Sequence, residues 1–194
     1  MVDNPTRLGS LRIRGYDYRL PGAYFVTICA HRRKCMFGDV VRGEMQLNAA
    51  GCVVQAAWFD LPRQYPGVAC DVFVVMPNHV HGVLVFAAGE TIASELALSR
   101  HIAEATQPDR NLRIAPTLGD VVRGFKARVA RAIQRSSQTP GAPVWQRNYH
   151  EHVIRDEHAL NRIRQYIDDN PRNWDADSEH PLASPHLGPG DRNP

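Results

Sequence analysis

The 194-residue chain has no uninterrupted apolar run near the roughly 18 residues that a membrane-spanning helix requires, so no membrane span is expected. Met1 to Ser10 has no apolar stretch of the secretory-signal type, so the expected location is the cytoplasm. Cysteine is scarce. Cys29, Cys35, Cys52 and Cys70 form no CxxC pair and no cluster, which excludes a disulfide scaffold or a Cys-rich zinc site. Cys29, Cys52 and Cys70 lie in or beside apolar runs and are expected to be reduced core thiols. Charge of one sign is also lacking. A net charge of +3 does not by itself point to nucleic acid. Lysine is nearly absent, at 2 against 21 arginines. The guanidinium fork suits phosphate, but codon bias would give the same skew. No internal repeat is evident.

What is present is ordinary for one soluble globular domain: 43% hydrophobic and 22% charged residues. The domain is expected to end near Trp174. Asp175 to Pro194 carries Pro181, Pro185, Pro189 and Pro194 with Gly188 and Gly190, and reads as a disordered tail. Residues 88 to 116 look irregular, with a short helix over Thr91 to Glu104.

Ala23 to Ala30 is β-branched and aromatic and reads as a strand. Cys35 to Leu47, with Gly38 and Gly43, suggests a small hairpin. Asn48 is placed to cap a helix over Ala49 to Leu61 that ends at Pro62. Asp71 to Met76 and Val80 to Phe86 are two strands close enough to pair. Thr117 to Arg135 is the clearest helix: Thr117 and Asp120 make a capping box, and Val121, Val122, Phe125, Val129, Ala132 and Ile133 gather on one side. A strand within Trp145 to Ile154 comes next. Asp156 then caps a helix running to Asp169, which Asn170-Pro171 stops. Strand pairs mixed with covering helices imply an α+β fold with an antiparallel sheet.

His79 and His81 open an apolar strand. Strand side chains alternate, so both imidazoles leave one face about 6–7 Å apart, where they can converge on a divalent ion. A polar pair on a half-solvated face fits the spacing as well. His150 and His152 repeat the pattern in a more polar strand near Arg147 and Arg155, read as a partly exposed face in reach of phosphate. On the last helix Leu160, Ile163 and Ile167 form the apolar stripe, with Tyr166 on its shoulder. Arg162 and Asn170, four residues to either side, share a face with Tyr166. A rim tyrosine with a wet hydroxyl accounts for this placement. Alternatively, a phenol of pKa about 10 needs a metal or base to become a nucleophile, and the Asn170 carbonyl is a hard ligand for Mg²⁺ or Mn²⁺.

MPNHVHGVLV (Met76 to Val85) resembles the His-hydrophobic-His motif of HUH single-strand nucleases. WQRNYHEHVIRDEHALNRIRQYIDDNPRNW (Trp145 to Trp174) and IRGYDYRLPGAYFVTICAHRRKCMFG (Ile13 to Gly38) resemble blocks of the REP-associated tyrosine transposases, which are insertion-sequence-200-like, single-tyrosine enzymes. The resemblance implies a ferredoxin-like antiparallel sheet with helices packed on it, the HUH nuclease fold. It implies metal ligands at His79, His81 and Asn170, a nucleophile at Tyr166 with Tyr149 as competitor, and Mg²⁺ or Mn²⁺ as cofactor. The implied reaction cleaves and rejoins single-stranded or hairpin DNA through a 5′-phosphotyrosine, in a nucleoid-associated monomer or homodimer. Arg12, Arg14 and Arg19, interleaved with Tyr16 and Tyr18, would contact DNA, as would Arg123, Lys126, Arg128, Arg131 and Arg135. A solvated charged helix face explains the second group almost as well. Two alternatives remain at this level: a catalytically silent hairpin-binding module of the same fold, and a metallohydrolase drawing on His79, His81 and the 150–152 segment.

Overall fold

The computed structural model describes residues 20–87 and 116–181. Arg12, Arg14, Arg19 and the expected helix over Thr91 to Glu104 lie outside the described residues.

Strand β1 (Gly22–Cys29) leads through a one-turn 3-10 segment (His31–Arg33) into the hairpin β2 (Gly38–Val41) and β3 (Glu44–Leu47). Helix α1 (Ala49–Phe59) is capped as expected by Asn48, whose side chain accepts from the Gly51 amide at 3.0 Å. Pro62 does not end this helix. It sits in the first turn of a separate short helix, α2 (Leu61–Gln64), where a missing N–H costs nothing. Strands β4 (Val68–Val75) and β5 (His79–Phe86) then pair antiparallel.

Helix α3 (Leu118–Ser136) begins at a capping box in which Thr117 and Asp120 each accept from the other's backbone. Such a cap stabilises a helix by about 1 kcal/mol. Strand β6 spans only His150–Ile154. The Trp145 end of the expected strand forms a lone bridge to Ala30. Helix α4 (Glu157–Asp169) is capped by Asp156, and a 3-10 turn at Trp174–Ala176 lies beyond it.

The main sheet has the order β4-β5-β1-β6, all antiparallel. Counting only its own strands, the chain runs β-α-β-β-α-β, which is the ferredoxin-like arrangement. The expected α+β class holds.

Alternation divides the sheet into two faces. Tyr24, Val26, Ile28, Val80, Leu84 and Phe86 point to one face, where α1, α2 and α3 cover them with Trp58, Leu61, Val122 and Phe125. Gly82 permits this closeness: a Cβ there would lie 2.4 Å from the Trp58 ring, which stacks on Phe73 at 4.4 Å. The other face holds a smaller apolar set, Val83, Ile154 and Ile167, beneath α4. A bulge between Cys70 and Phe73 interrupts β4. At that bulge Asp71 meets Arg164 of α4 through two hydrogen bonds, at 2.9 and 2.5 Å, which pins the helix to the sheet.

The chain does not become a free tail after Trp174. Asn170 is buried and retains helical geometry, so the turn continues and packs residues 175–181 back on the sheet end. Asp177 is buried there, and Glu179 reaches Arg33 and Cys29. The expected tail beyond residue 181 lies outside the described residues. All four cysteines are free, but Cys52 and Cys35 are exposed; only Cys29 is fully buried, so the core expectation fails for Cys52.

Candidate metal and tyrosine site

His79 and His81 emerge on the α4 face of the central strand β5, and both are buried. Their outer nitrogens are held first. Asn78 donates through Nδ2 to the carbonyls of Arg33 (3.2 Å) and Glu179 (2.7 Å), which fixes its own carbonyl toward His79. His79 Nδ1 lies 2.8 Å from that carbonyl, so Nδ1 carries the proton and the Nε2 lone pair is free. His81 Nδ1 lies 2.8 Å from the Thr27 hydroxyl, and a metal on Nε2 selects the tautomer in which Nδ1 donates to that hydroxyl. Outer contacts of this kind fix the tautomer and orientation of a histidine ring. The two Nε2 atoms stand 3.0 Å apart.

Burial lowers the pKa of His79 to about 3, with help from the nearby Arg33 charge, and pushes that of His81 well below its ordinary value. Both rings are therefore neutral near pH 7, the protonation state a metal requires. Two lone pairs at this separation repel unless a cation or proton lies between them. At this separation both nitrogens could be ligands of one divalent ion.

A carboxylate completes the cluster. Asp177 Oδ2 is 3.9 Å from His79 Nε2, and one ligand atom from each of His79, His81 and Asp177 falls within 4.8 Å of the others. Asn170, the sequence-predicted third ligand, is buried beside them. Its Nδ2 donates to Asp177 Oδ2 at 3.0 Å, and its Oδ1 is a buried acceptor with no partner among the described residues. An orphaned carbonyl, a carboxylate and two neutral imidazoles form a donor set suited to a divalent ion.

Tyr166 approaches from α4. Its hydroxyl is 3.3 Å from His81 Nε2, and its ring packs edge-on against His81 and Phe25. The residue is 47% exposed, so one side of the ring meets solvent while the hydroxyl turns inward. Burial and the charges of Asp177 and Glu179 raise the phenol pKa to about 12, against an opposing hydrogen bond from Asn170. Without a cation the phenol stays protonated. Tyr149, the competitor, packs against the opposite core.

The basic helix lies apart from the histidine pair. α3 covers the other face of the sheet, so its arginines do not surround the histidine pair. Lys126 is half-buried and donates to the carbonyls of Gln146, Arg147 and Asn148 at 2.6 to 3.2 Å. It acts as a strut across a groove of about 950 Å³ between α3 and the segment before β6. Arg128 pairs with Asp60 at 2.9 Å and Arg123 with Asp120 at 2.5 Å. Arg131 and Arg135 remain exposed. His150 and His152 are exposed on the α4 face at edge strand β6, opposite Thr27 and Phe25, matching the partly exposed face expected of them.

Sequence reasoning missed Asp177, Asn78 and Thr27. Asp177 falls in the segment whose composition reads as a tail. The signal for it was the acidic run DADSE directly after Trp174, an aromatic large enough to anchor the adjoining turn. Asn78 read only as turn punctuation.

No family model matches the chain. It is 38% identical over 168 residues to an uncharacterized protein of Haemophilus influenzae (strain ATCC 51907 / DSM 11121 / KW20 / Rd), covering 87% of this chain and 90% of that one. Among solved structures it is similar to a REP-associated tyrosine transposase bound to a REP hairpin, with a TM-score of 0.53 and 18% identity over 84% of this chain and 73% of that one. No helix among the described residues is long and apolar enough to cross a membrane. The chain thus belongs to one family with the Haemophilus protein, and it is built on the fold of the REP-associated tyrosine transposase.

Proposed function

We propose that the chain is a metal-dependent DNA strand transferase that cuts and rejoins single-stranded or hairpin DNA through Tyr166. One observation carries the reading: the Tyr166 hydroxyl lies 3.3 Å from His81 Nε2, which lies 3.0 Å from His79 Nε2. A nucleophile and a pair of metal-binding nitrogens thereby share one pocket.

His79, His81 and Asp177 would hold the ion, with the Asn170 carbonyl beside them. Mg²⁺ or Mn²⁺ held there supplies a Lewis acid for the phosphate oxygens. Tyr166 Oη attacks phosphorus, and the P–O3′ bond opens on the opposite side. The phenol proton is lost to solvent and the departing 3′-oxygen takes one up, so a phosphotyrosine ester replaces one phosphodiester. Attack by a second 3′-OH reverses the exchange and joins strands without ATP. The α4 position of Tyr166, pinned by Asp71 and Arg164, supplies the alignment.

The similar solved transposase carries a REP hairpin, and this ligand class is carried to the present chain as part of the proposal. The exposed Arg131 and Arg135, with Arg123, are the phosphate contacts proposed on α3. Lys126 and Arg128 are spent on protein contacts.

The test is incubation of the full chain with labelled hairpin DNA from beside its own gene, with Mg²⁺ or Mn²⁺. A covalent protein–DNA band is expected, absent in Tyr166→Phe and with chelator. A band that survives Tyr166→Phe removes the nucleophile assignment. Salt-dependent hairpin binding with no band in either metal identifies a silent binding module instead.

A further inference from the structure

Arg33 stands at the His79 end of the pocket, outside the set of residues that would hold the ion. Its backbone is unusual. Arg32 and Arg33 are consecutive residues with positive φ, 55° and 52°. A non-glycine residue adopts this conformation at a cost of order 1–3 kcal/mol, and such residues gather at functional sites. Asn78 holds the turn by donating to the Arg33 carbonyl at 3.2 Å. The same Asn78 orients His79, so the arginine and the metal-binding ring are set by one buried amide.

The guanidinium is also fixed. Nε meets Glu179 Oε2 at 3.0 Å, and Nη1 donates to the Ser178 carbonyl at 3.3 Å. The same Glu179 oxygen accepts from Cys29 Sγ at 3.2 Å, and Cys29 is the register partner of His79 on β1. Thus one edge of the fork is anchored to the pocket wall. Nη2 has no partner among the described residues, and the side chain is 42% exposed. An anchored guanidinium with a free outward edge is preorganised for an oxyanion.

We propose that Arg33 binds a backbone phosphate of the DNA strand that departs with the 3′-OH. The direction comes from the pocket. Tyr166 attacks from the His81 side, and in-line displacement sends the departing oxygen away from it, toward the His79 and Arg33 side. The nucleotides 5′ of the cut pass there. Glu179 and Ser178 hold the guanidinium and are not displaced, so Glu179 is a positioning residue.

This inference rests on the strand-transfer reading, and its test separates the two. Arg33→Ala is compared with the parent chain on hairpin substrates in which single phosphates are replaced, one at a time, by uncharged methylphosphonates. Arg33→Ala is expected to slow adduct formation roughly 10- to 100-fold, the effect of losing one charged hydrogen bond. That loss should vanish at one linkage 5′ of the cut and persist at all others. A loss that no substitution suppresses, or one suppressed only 3′ of the cut, overturns the proposal. Arg33→Lys keeps the charge and loses the fork, so an intermediate loss with the same linkage pattern is expected even if the alanine variant folds poorly. If the parent chain forms no adduct, the strand-transfer reading fails, and Arg33 is then judged by binding. The slope of log Kd against log salt for a single-stranded oligonucleotide should fall by about 0.7 in Arg33→Ala, one phosphate contact. An unchanged slope overturns the assignment.

Discussion

The two faces of the four-stranded sheet are made from alternate residues of the same strands, yet they solve different problems. On the α1–α3 face the inward positions are apolar apart from Glu151 of edge strand β6, and Trp58 lies against Gly82, Phe73 and Phe125. On the α4 face the register row Thr27–His81–Val74 places a hydrogen-bonded imidazole where the other face would place valine or leucine. That face gives up apolar area and buries His79, His81, Asn170 and Asp177 instead. Burying polar groups costs stability unless each is partnered. The closed face supplies the stability that lets the open face hold a costly polar cluster.

Four measurements probe this contrast. The largest effect falls on the closed face. Trp58→Ala should cost about 3–5 kcal/mol in chemical denaturation, as for a large buried aromatic. A loss below about 1 kcal/mol would mean the stability is distributed otherwise.

Acid should act on the polar face. His79 has a folded pKa of about 3 against an unfolded value near 6.5. Its contribution is complete above pH 6.5 and is lost as pH falls toward 3. Metal-free protein should lose stability between pH 6 and 4 at up to about 1.4 kcal/mol per pH unit from this ring. His79→Asn should flatten that slope, measured by urea titrations at stepped pH.

A smaller effect is expected from Asn78→Ala, which frees the His79 ring to rotate and change tautomer. Mn²⁺ affinity by calorimetric titration should fall about 10- to 100-fold. Unchanged affinity would show that the outer amide is dispensable. The smallest effect is Tyr166→Phe on stability. The hydroxyl of this half-exposed residue makes a long contact to His81 and receives a hydrogen bond from Asn170, so the change should stay within about 1 kcal/mol. A variant that loses its adduct while keeping its melting curve isolates chemistry from folding.

Much of this contrast is legible in the residues themselves. Alternation in Val80 to Phe86 locates a buried strand, and the His-x-His spacing puts both rings on one face. The capping residues Asn48, Thr117 and Asp156 mark three helix starts correctly. What composition hides is the partner of each polar group. Lys126 and Arg128 look like free cations in a helical pattern, but their side chains are long enough to reach carbonyls and a carboxylate remote in sequence. Asp177 is hidden by its setting among prolines, because proline and glycine content reports the absence of regular structure and not the absence of packing. Its burial depends on Asn170 and His79, contacts that no local pattern encodes.

The hydrogen bond from Tyr166 to His81 joins residues 85 positions apart in a single chain. On the proposed reading, attacking group and metal-holding ring are then present one to one in each molecule. Adduct yield per molecule should not change on dilution, since no encounter between copies is needed to bring the phenol to the imidazoles. An inactive Tyr166→Phe chain mixed with an inactive His81→Ala chain should not restore activity, as each copy lacks a part that its companion has no route to lend.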